Sequence, residues 1–261
     1  MQGSFHVRFS LVLLLATLAA LAGCARLRPT PIPIRTVSYP GIPGAAGVSP
    51  VRTLVVLLPG RYDSPEDFRR HGFPEIAAKA GVRAAMVAVD AHLGYYYKRT
   101  IVDRLREDVI APARKRYDRI WLAGISLGGT GSLLYAAEHP EDVDGIVLLA
   151  PFLGEDKVIA EVAAAGGDRG IQGWKAPEPL AADDFQRRLW VWLQGATRPP
   201  ARIPIYLGWG KDDSFARANG LLAKELPPDR VFTAKGGHDW KAWTALWTEF
   251  IHTGALGKNS G

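Results

Sequence analysis

The stretch WLAGISLGGTGSLLYAAEHP (Trp121–Pro140) passes from an apolar run into a helix-like run through a serine flanked by glycines. The apolar residues before Ser126 are typical of a buried strand, and Leu127–Glu138 is predicted to be a helix. A sharp turn between the two would hold Ser126 in strained backbone geometry and lift its Oγ above a sheet. Residues two positions away then have no room for side chains, and Gly124 and Gly128 meet that requirement. The stretch is therefore either an ordinary strand–helix joint or a turn that exposes a nucleophile.

Strand-like and helix-like runs alternate on both sides of this joint. Further strands are predicted in TLVVLLP (53–59), RAAMVAVD (83–90), VDGIVLLAP (143–151), RIPIYLGWG (202–210) and RVFTAKGG (230–237). Helices are predicted over 64–81, with Ser64 as N-cap and Gly81 as the stop, over 98–117 with a kink at Pro112, and over 215–226 and 239–252. This alternation predicts an α/β fold, in which a mostly parallel sheet carries helices on both faces.

The predicted α/β domain spans residues 51–253. Residues 152–200 interrupt the alternation after the fourth strong strand, and we expect an insertion of short helices over one edge of the sheet. Its tryptophans could form a lid over an apolar acyl chain or a small core of their own. The Pro- and Gly-rich residues 24–50 are predicted to be a tether, with room for a short edge strand at its end, and 254–261 a flexible tail.

Residues 1–23 have the features of a secretory signal rather than of a folded element. One formal positive charge, Arg8, precedes the almost wholly apolar run 9–22, which is short for a membrane span. The run closes in LAGC (21–24), which resembles the lipobox of bacterial lipoproteins, where the cysteine becomes the acylated first residue. The resemblance implies a protein of the bacterial cell envelope, attached to the membrane by a lipid anchor at Cys24. The alternative is a plain secretory signal followed by an unrelated cysteine.

Cys24 is the only cysteine of the chain, so an intramolecular disulfide is excluded. Ala25 follows it rather than Asp, which favours the outer membrane if the host is Gram-negative. The formal net charge is +6, but the basic residues are scattered and form no stripe interleaved with aromatics. Nucleic acid is therefore not a predicted partner, and a weak preference for anionic membrane surfaces is the most that the charge supports.

Candidate catalytic side chains follow the predicted strands, where open parallel sheets bind their ligands. Asp212 and Asp213 follow the fifth strand, and His238 lies on a Gly-rich loop after the last one. His238 could act as the base for Ser126, and an acid would fix its tautomer and stabilise the imidazolium. We prefer Asp213, which comes three residues after Gly210, and keep Asp212 as the alternative. The other interpretation of the two carboxylates is that they are solvated turn residues.

Acyl transfer also needs preorganised N–H donors for the oxyanion of its tetrahedral intermediate. The backbone N–H of Leu127 is one expected donor, and LLPGRYDS (57–64) is expected to supply the other from Arg61 or Tyr62.

A pocket wall is predicted from aromatic residues near the same sheet edge. The candidates are His92, Tyr95 and Tyr96 after the second strand and Trp174 in the insertion, with plain packing as the alternative. The sequence has no H-E-x-x-H or paired C-x-x-C motif and no G-x-x-x-x-G-K loop, so neither a metal nor a cofactor is predicted.

The motifs GISLGG (124–129) and GGHDW (236–240) make residues 53–252 similar to α/β-hydrolases of the esterase and lipase type, in particular small bacterial carboxylesterases. The resemblance implies hydrolysis of small-molecule esters through an acyl-enzyme on Ser126, with His238 as base and then acid and Asp213 orienting it. Many relatives have a histidine where Pro59 stands, which leaves the donor open between Arg61 and Tyr62. The same triad would serve an acyltransferase or a thioesterase. A catalytically idle binding lipoprotein is a further alternative.

Overall fold

The computed structural model describes residues 28–39, 51–181 and 183–257. Within these residues seven strands form one sheet in the order β1-β3-β2-β4-β5-β6-β7. The strands are β1 Thr36–Tyr39, β2 Thr53–Leu58, β3 Ala84–Val89, β4 Arg119–Ile125, β5 Gly145–Leu149, β6 Ile205–Gly210 and β7 Val231–Ala234. β1 is antiparallel to β3, and all other neighbours are parallel. The predicted α/β-hydrolase fold is confirmed.

Helices connect the strands and cover both faces of the sheet. They are α1 Asp67–Arg70, α2 Phe73–Lys79, α3 Leu93–Tyr97, α4 Ile101–Arg104, α5 Ala111–Arg114, α6 Leu127–Glu138, α7 Asp156–Gly166, α8 Phe185–Ala196, α9 Ala216–Ala223 and α10 Trp240–His252. A π-helical turn, Leu105–Ile110, joins α4 to α5, and 3₁₀ turns span Pro140–Asp142, Gly167–Gly173 and Pro228–Arg230.

The core has two layers because successive strand side chains point to opposite faces and both faces are covered. Leu54, Val56 and Leu58 of β2 belong to the layer that also holds α4, α6 and the insertion. Val55 and Leu57 point to the other layer, under α1, α2 and α10. This double burial accounts for the continuous apolar runs in the sequence and places polar side chains beyond the strand ends.

Two predicted helices differ from the structure, and both differences follow from local chemistry. Residues 64–81 form two helices rather than one, because Gly72 adopts a left-handed φ of 76° between α1 and α2. Ser64 is not the N-cap; its hydroxyl and amide instead donate to the Asp67 carboxylate ahead of α1. The predicted kink near Pro112 takes the form of the π-helical turn that precedes α5, where the missing proline N–H breaks the regular helical pattern.

The predicted domain limits are too narrow at both ends. Residues 28–39 are not a free tether, because β1 pairs with β3 and the carbonyls of Pro29 and Pro31 accept hydrogen bonds from His92 and Tyr95. At the other end Leu256 is buried, so the predicted tail is part of the fold up to residue 257. The predicted signal peptide, Cys24, residues 40–50 and the last four residues lie outside the described residues.

The insertion consists of α7, a 3₁₀ turn and α8, as predicted, but it packs against a face of the sheet rather than only its edge. Trp174 and Trp190 are buried within the core layer that contains α6. These two tryptophans therefore belong to the main core rather than to a small core of the insertion, and Trp192 is half-buried against it. In the described part of the chain, no helix has both the length and the apolar character needed to cross a membrane.

Candidate active site

Ser126 stands between β4 and α6 with φ 52° and ψ −115°, a strained conformation for a residue that carries a side chain. A β-carbon on Gly124 would lie 2.2 Å from the Gly128 carbonyl oxygen, and one on Gly128 would lie 2.1 Å from the Leu58 carbonyl oxygen. Both glycines are therefore needed for the turn to pass between its neighbours. The turn is further held by the Ser126 amide, which donates to the Leu149 carbonyl.

The structure brings Ser126, His238 and Asp213 into one line of hydrogen bonds. His238 Nε2 lies 2.9 Å from Ser126 Oγ, and His238 Nδ1 lies 2.9 Å from Asp213 Oδ2 and 3.1 Å from Oδ1. Because Nδ1 faces a carboxylate it carries the ring proton, which leaves Nε2 to accept the serine hydroxyl proton. Asp212 is exposed and its backbone amide donates to Gly236, so the acid beside the histidine is Asp213.

Burial and hydrogen bonds fix the Asp213 carboxylate in an orientation that faces the imidazole. Its side chain is fully buried, and Oδ1 also accepts the Phe215 N–H at 2.7 Å. A buried carboxylate is costly unless its oxygens are bonded. The amide and the imidazole together satisfy it and fix the direction in which it points.

Aromatic rings surround the imidazole, and sequence reasoning did not assign them to the site. Phe215 contacts His238 edge to face at a centroid distance of 4.7 Å, and Trp243 does so at 5.0 Å. Phe152 contacts Phe215 in turn, and both are half-buried. The proximity of Phe215 to Asp213 in the sequence was the one available signal. These rings give the site an apolar wall beside a base.

The predicted oxyanion donors lie at the expected edge of the site. Gly60, next to Arg61, is so close to Ser126 that a β-carbon on it would lie 3.7 Å from the serine Cβ. Among the hydrogen bonds of the described residues, the backbone N–H groups of Leu127, Arg61 and Tyr62 have no acceptor. All three remain available to an anionic oxygen, and the choice between Arg61 and Tyr62 stays open.

Asp63 connects the Gly60 loop to the helix that follows His238. Its Oδ1 accepts the indole N–H of Trp240 at 2.9 Å, and its amide donates to the Gly60 carbonyl. Burial raises the pKa of the Asp63 carboxyl, while the hydrogen bond from Trp240 opposes that shift. The link ties the oxyanion side of the site to its base side.

The residues predicted to form a pocket wall make packing contacts and hydrogen bonds elsewhere in the fold. His92 and Tyr95 are buried beneath residues 28–31, to whose backbone they donate hydrogen bonds. Trp174 is 2% exposed and donates its N–H to Glu161 within the insertion. The Tyr96 hydroxyl packs against Gly131 of α6, and its burial raises the pKa of the phenol.

One group of described residues has the spacing of metal ligands, and it lies away from the triad. Ligand atoms of His139, Glu141 and Asp142 lie within 4.8 Å of one another in the turn that precedes β5. That turn is at the opposite edge of the sheet from Ser126, and Asp142 already accepts the hydroxyl of Tyr135. The group has no contact with the triad.

Comparison with known proteins adds a family to this geometry. The family model named Esterase, with the description "Putative esterase", matches residues 80–252. A curated relative, "Putative esterase NocK" from Nocardia uniformis subsp. tsuyamanensis, is 26% identical over 224 residues, which cover 75% of this chain and 60% of that protein. The chain thus spans about three fifths of the length of this relative.

Solved structures share the fold at low sequence identity. FphF, a fluorophosphonate-binding serine hydrolase of Staphylococcus aureus, aligns with a TM-score of 0.54 and 17% identity over 86% of this chain and 98% of its own. Est1E from Butyrivibrio proteoclasticus aligns with a TM-score of 0.54 and 19% identity over 85% and 94%. At such identities the likeness establishes the common fold alone.

Proposed function

The chain belongs to the esterase family, and we propose that it hydrolyses carboxylic esters with Ser126 as nucleophile, His238 as base and Asp213 as the acid that orients the base. Membership in this family supports ester hydrolysis. The serine mechanism and the assignment of the residues are our inference. The observation that carries this inference is the unbroken line of hydrogen bonds from Asp213 through His238 to Ser126. A small-molecule ester is the substrate class that this site fits.

In the first half of the reaction, Ser126 Oγ attacks the ester carbonyl carbon while His238 Nε2 takes the hydroxyl proton. The carbonyl oxygen becomes an oxyanion, which the Leu127 N–H and a donor from Arg61 or Tyr62 stabilise. When the intermediate collapses, the carbon–oxygen bond to the alcohol breaks and His238 gives its proton to the leaving oxygen. The acyl group remains as an ester on Ser126.

In the second half, water replaces the alcohol and the same groups act in the same order. His238 removes a proton from the water, the hydroxide attacks the acyl carbon, and Ser126 leaves with the proton that His238 returns. Asp213 keeps its negative charge throughout and stabilises the imidazolium that forms twice in each cycle.

The test is labelling of the full-length protein in detergent with a fluorophosphonate probe, which reacts with activated serines. Wild type should be labelled and should hydrolyse p-nitrophenyl esters, whereas Ser126→Ala should lose the label and at least about 10³-fold in kcat/KM. Ser214→Ala is the matched control, since this serine is exposed beside Asp213 and should keep both properties. Labelling that persists in a folded Ser126→Ala variant would exclude Ser126 as the nucleophile.

The proposed location is the bacterial cell envelope, with the mature chain acylated at Cys24. The LAGC sequence at 21–24 and the lack of any other cysteine in the chain support this proposal. Mass spectrometry of the mature N-terminus should find the acyl groups, and Cys24→Ala should lack them and leave the membrane fraction. An unchanged mature mass and unchanged membrane association in Cys24→Ala would contradict lipidation.

A further inference from the structure

The first described residues of the chain are fixed to one particular edge of the sheet. Arg28 pairs with Asp90 at 2.7 Å, and the Pro29 and Pro31 carbonyls accept from His92 Nε2 and the Tyr95 hydroxyl. The Thr30 hydroxyl accepts from Lys98 at 2.8 Å. These partners all follow the carboxyl end of β3 or belong to α3 directly beyond it.

The same edge carries the active site. β3, β2 and β4 are adjacent parallel strands, with Leu57 opposite Ala88 and Leu58 opposite Gly124. Asp90 after β3, Gly60 after β2 and Ser126 after β4 therefore lie along one edge, which we call the carboxyl edge. Since neighbouring strands are about 4.8 Å apart, Asp90 and Ser126 are separated by about 10 Å across β2.

An anchor at Cys24 would leave little chain between lipid and domain. Three residues separate Cys24 from Arg28, so four chain steps span at most about 14 Å when fully extended. A membrane that holds an acylated Cys24 is then within that distance of Arg28, which brings the carboxyl edge close to the membrane. This step rests on the acylation that we proposed above.

The exposed side chains of this edge suit a membrane surface. Ile32 is 74% exposed, Tyr62 82% and Tyr97 65%, although all three are large and apolar or aromatic. Exposed cations lie beside them: Arg61 packs over the Tyr62 ring, and Lys98 and Arg99 follow Tyr97. Tyrosines with neighbouring Lys and Arg are the residues that settle at the interface of anionic bilayers. We define these six residues as the interfacial face.

We propose that the interfacial face rests on an anionic phospholipid surface, so that Ser126 opens toward the bilayer and takes esters whose acyl chains reside in it. The apolar wall of Phe152 and Phe215 beside His238 fits such an acyl chain better than a fully hydrated substrate. Docking on the edge that holds the nucleophile removes the need for the substrate to leave the membrane.

The orientation can be tested by fluorescence quenching on vesicles of phosphatidylcholine and phosphatidylglycerol that contain lipid with a nitroxide headgroup. The quenching reports how close a labelled position lies to the bilayer surface. Tyr97→Cys and Lys115→Cys, in the full-length acylated protein, place a thiol-reactive fluorophore at opposite edges, because Lys115 is exposed in the turn that precedes β4. Acylation occupies the only native thiol. Quenching at position 97 should exceed that at 115 by threefold or more; equal quenching, or stronger quenching at 115, would overturn the proposal.

Activity supplies a second readout that does not depend on the label. Ile32→Ser combined with Tyr97→Ser should lower the rate on a long-chain acyl ester dissolved in the vesicles about tenfold and leave p-nitrophenyl acetate hydrolysis in water unchanged. An equal rate on the vesicle-borne ester would overturn the proposal while the triad assignment stands. A mature mass without acyl groups would overturn the anchoring and the orientation with it, and loss of both activities in Ser126→Ala remains the separate test of the triad.

Discussion

At the residue scale, the geometry of the serine turn depends on two glycines that admit no methyl group. Gly128 packs against the end of β2, and a β-carbon there would lie 2.1 Å from Leu58 O and 2.6 Å from Pro59 O. Neither carbonyl can move without disturbing the sheet or the oxyanion loop. We expect Gly128→Ala to lower the free energy of unfolding by about 1–3 kcal/mol and to reduce fluorophosphonate labelling.

The matched control for that change is Gly220→Ala in α9. A β-carbon on Gly220 meets no atom within 4 Å, so the substitution should stabilise the protein by about 0.5–1 kcal/mol through the higher helix propensity of alanine. Urea unfolding measures both variants. Equal effects at the two positions would contradict the packing argument.

A second residue-scale prediction separates the two adjacent carboxylates. In Asp213→Asn the amide can donate to His238 Nδ1, which would favour the tautomer that carries its proton on Nε2 and cannot accept from Ser126. We expect kcat to fall about 10⁴-fold. The kcat of Asp212→Asn should stay within about twofold of wild type, because that side chain is exposed and does not contact the imidazole. Steady-state kinetics on one p-nitrophenyl ester measures both variants. The reverse ranking would move the acid by one residue.

How far this site could be predicted depends on where each partner lies in the sequence. Ser126, Asp213 and His238 follow strands in the chain order of the fold, and that order is visible in the sequence. His92 and Tyr95 also follow a strand, but residues from more than 60 positions earlier cover them. No local sequence pattern predicts that contact. Trp243 lies only five positions after His238, but the contact between its ring and the imidazole depends on the direction in which α10 leaves the loop.

At the element scale, α10 begins at a cap that also holds the histidine loop. Asp239 Oδ1 accepts the Ala242 N–H at 2.9 Å, and Oδ2 accepts the Gly237 N–H at 3.3 Å, on either side of His238. Asp239→Ala should cost about 1 kcal/mol of stability and also lower kcat, because the loop loses its fixed end. Asp184→Ala, which removes the cap of α8, should cost a similar amount and leave kcat unchanged. Thermal unfolding and ester hydrolysis on the same samples distinguish the two, and an unchanged kcat in Asp239→Ala would contradict a role in holding His238.

The pH dependence of this cap has a definite sign. The hydrogen bond from the Ala242 amide, with that from Gly237, lowers the pKa of the Asp239 carboxyl below its usual value of 3.8. The folded state then favours the charged form, so the cap stabilises fully above pH 3.8 and less as the pH falls through the lower folded value. The difference in melting temperature between wild type and Asp239→Ala should shrink as the pH falls below 3.8. A difference that stays constant as the pH falls would contradict a charged cap.

Helices and strands were predictable where neighbouring residues in the sequence determine their bounds. The bounds of α6 match the prediction residue for residue, because a strained serine fixes its start and LLYAAE (133–138), which precedes Pro140, favours a helix to its end. The predicted helix over 64–81 missed its break, since the left-handed φ of Gly72 depends on how Phe68 and Phe73 pack together under Trp240. A glycine within a helix-like pattern is a break only when packing demands one.

At the scale of the whole molecule, residues 28–39 act as part of the sheet rather than as a leader to it. The Ile34 amide donates to Asp108, and the Arg35 guanidinium bonds both Asp90 and Glu66. Proline- and glycine-rich composition predicts extended backbone correctly, but it does not distinguish a solvated tether from a docked strand. Whether the segment docks is decided by hydrogen-bond acceptors that lie about 30 to 75 positions further along the chain.

His92 makes the docking of this segment sensitive to pH. Its Nδ1 accepts the Gly94 N–H and its Nε2 donates to the Pro29 carbonyl, an arrangement that only the neutral ring can make. Burial, and then the nearby positive charge of Arg28, lower the pKa of His92 below 6.5. The unfolded chain therefore binds the proton more readily, and stability falls as the pH drops below about 6.5 toward the folded value.

We expect His92→Asn to be less stable than wild type at pH 7, by about 1 kcal/mol for the lost bond to Pro29, while it retains an acceptor that can cap α3. Its stability should then fall less than that of wild type between pH 7 and pH 5, because the titrating ring is gone. His252→Asn, at an exposed position at the end of α10, should keep the wild-type dependence on pH. Urea unfolding of the three proteins at both pH values measures the difference. Equal losses of stability in wild type and His92→Asn would mean that the contacts of Asp90 and Asp108 hold the N-terminal segment without a contribution from the imidazole.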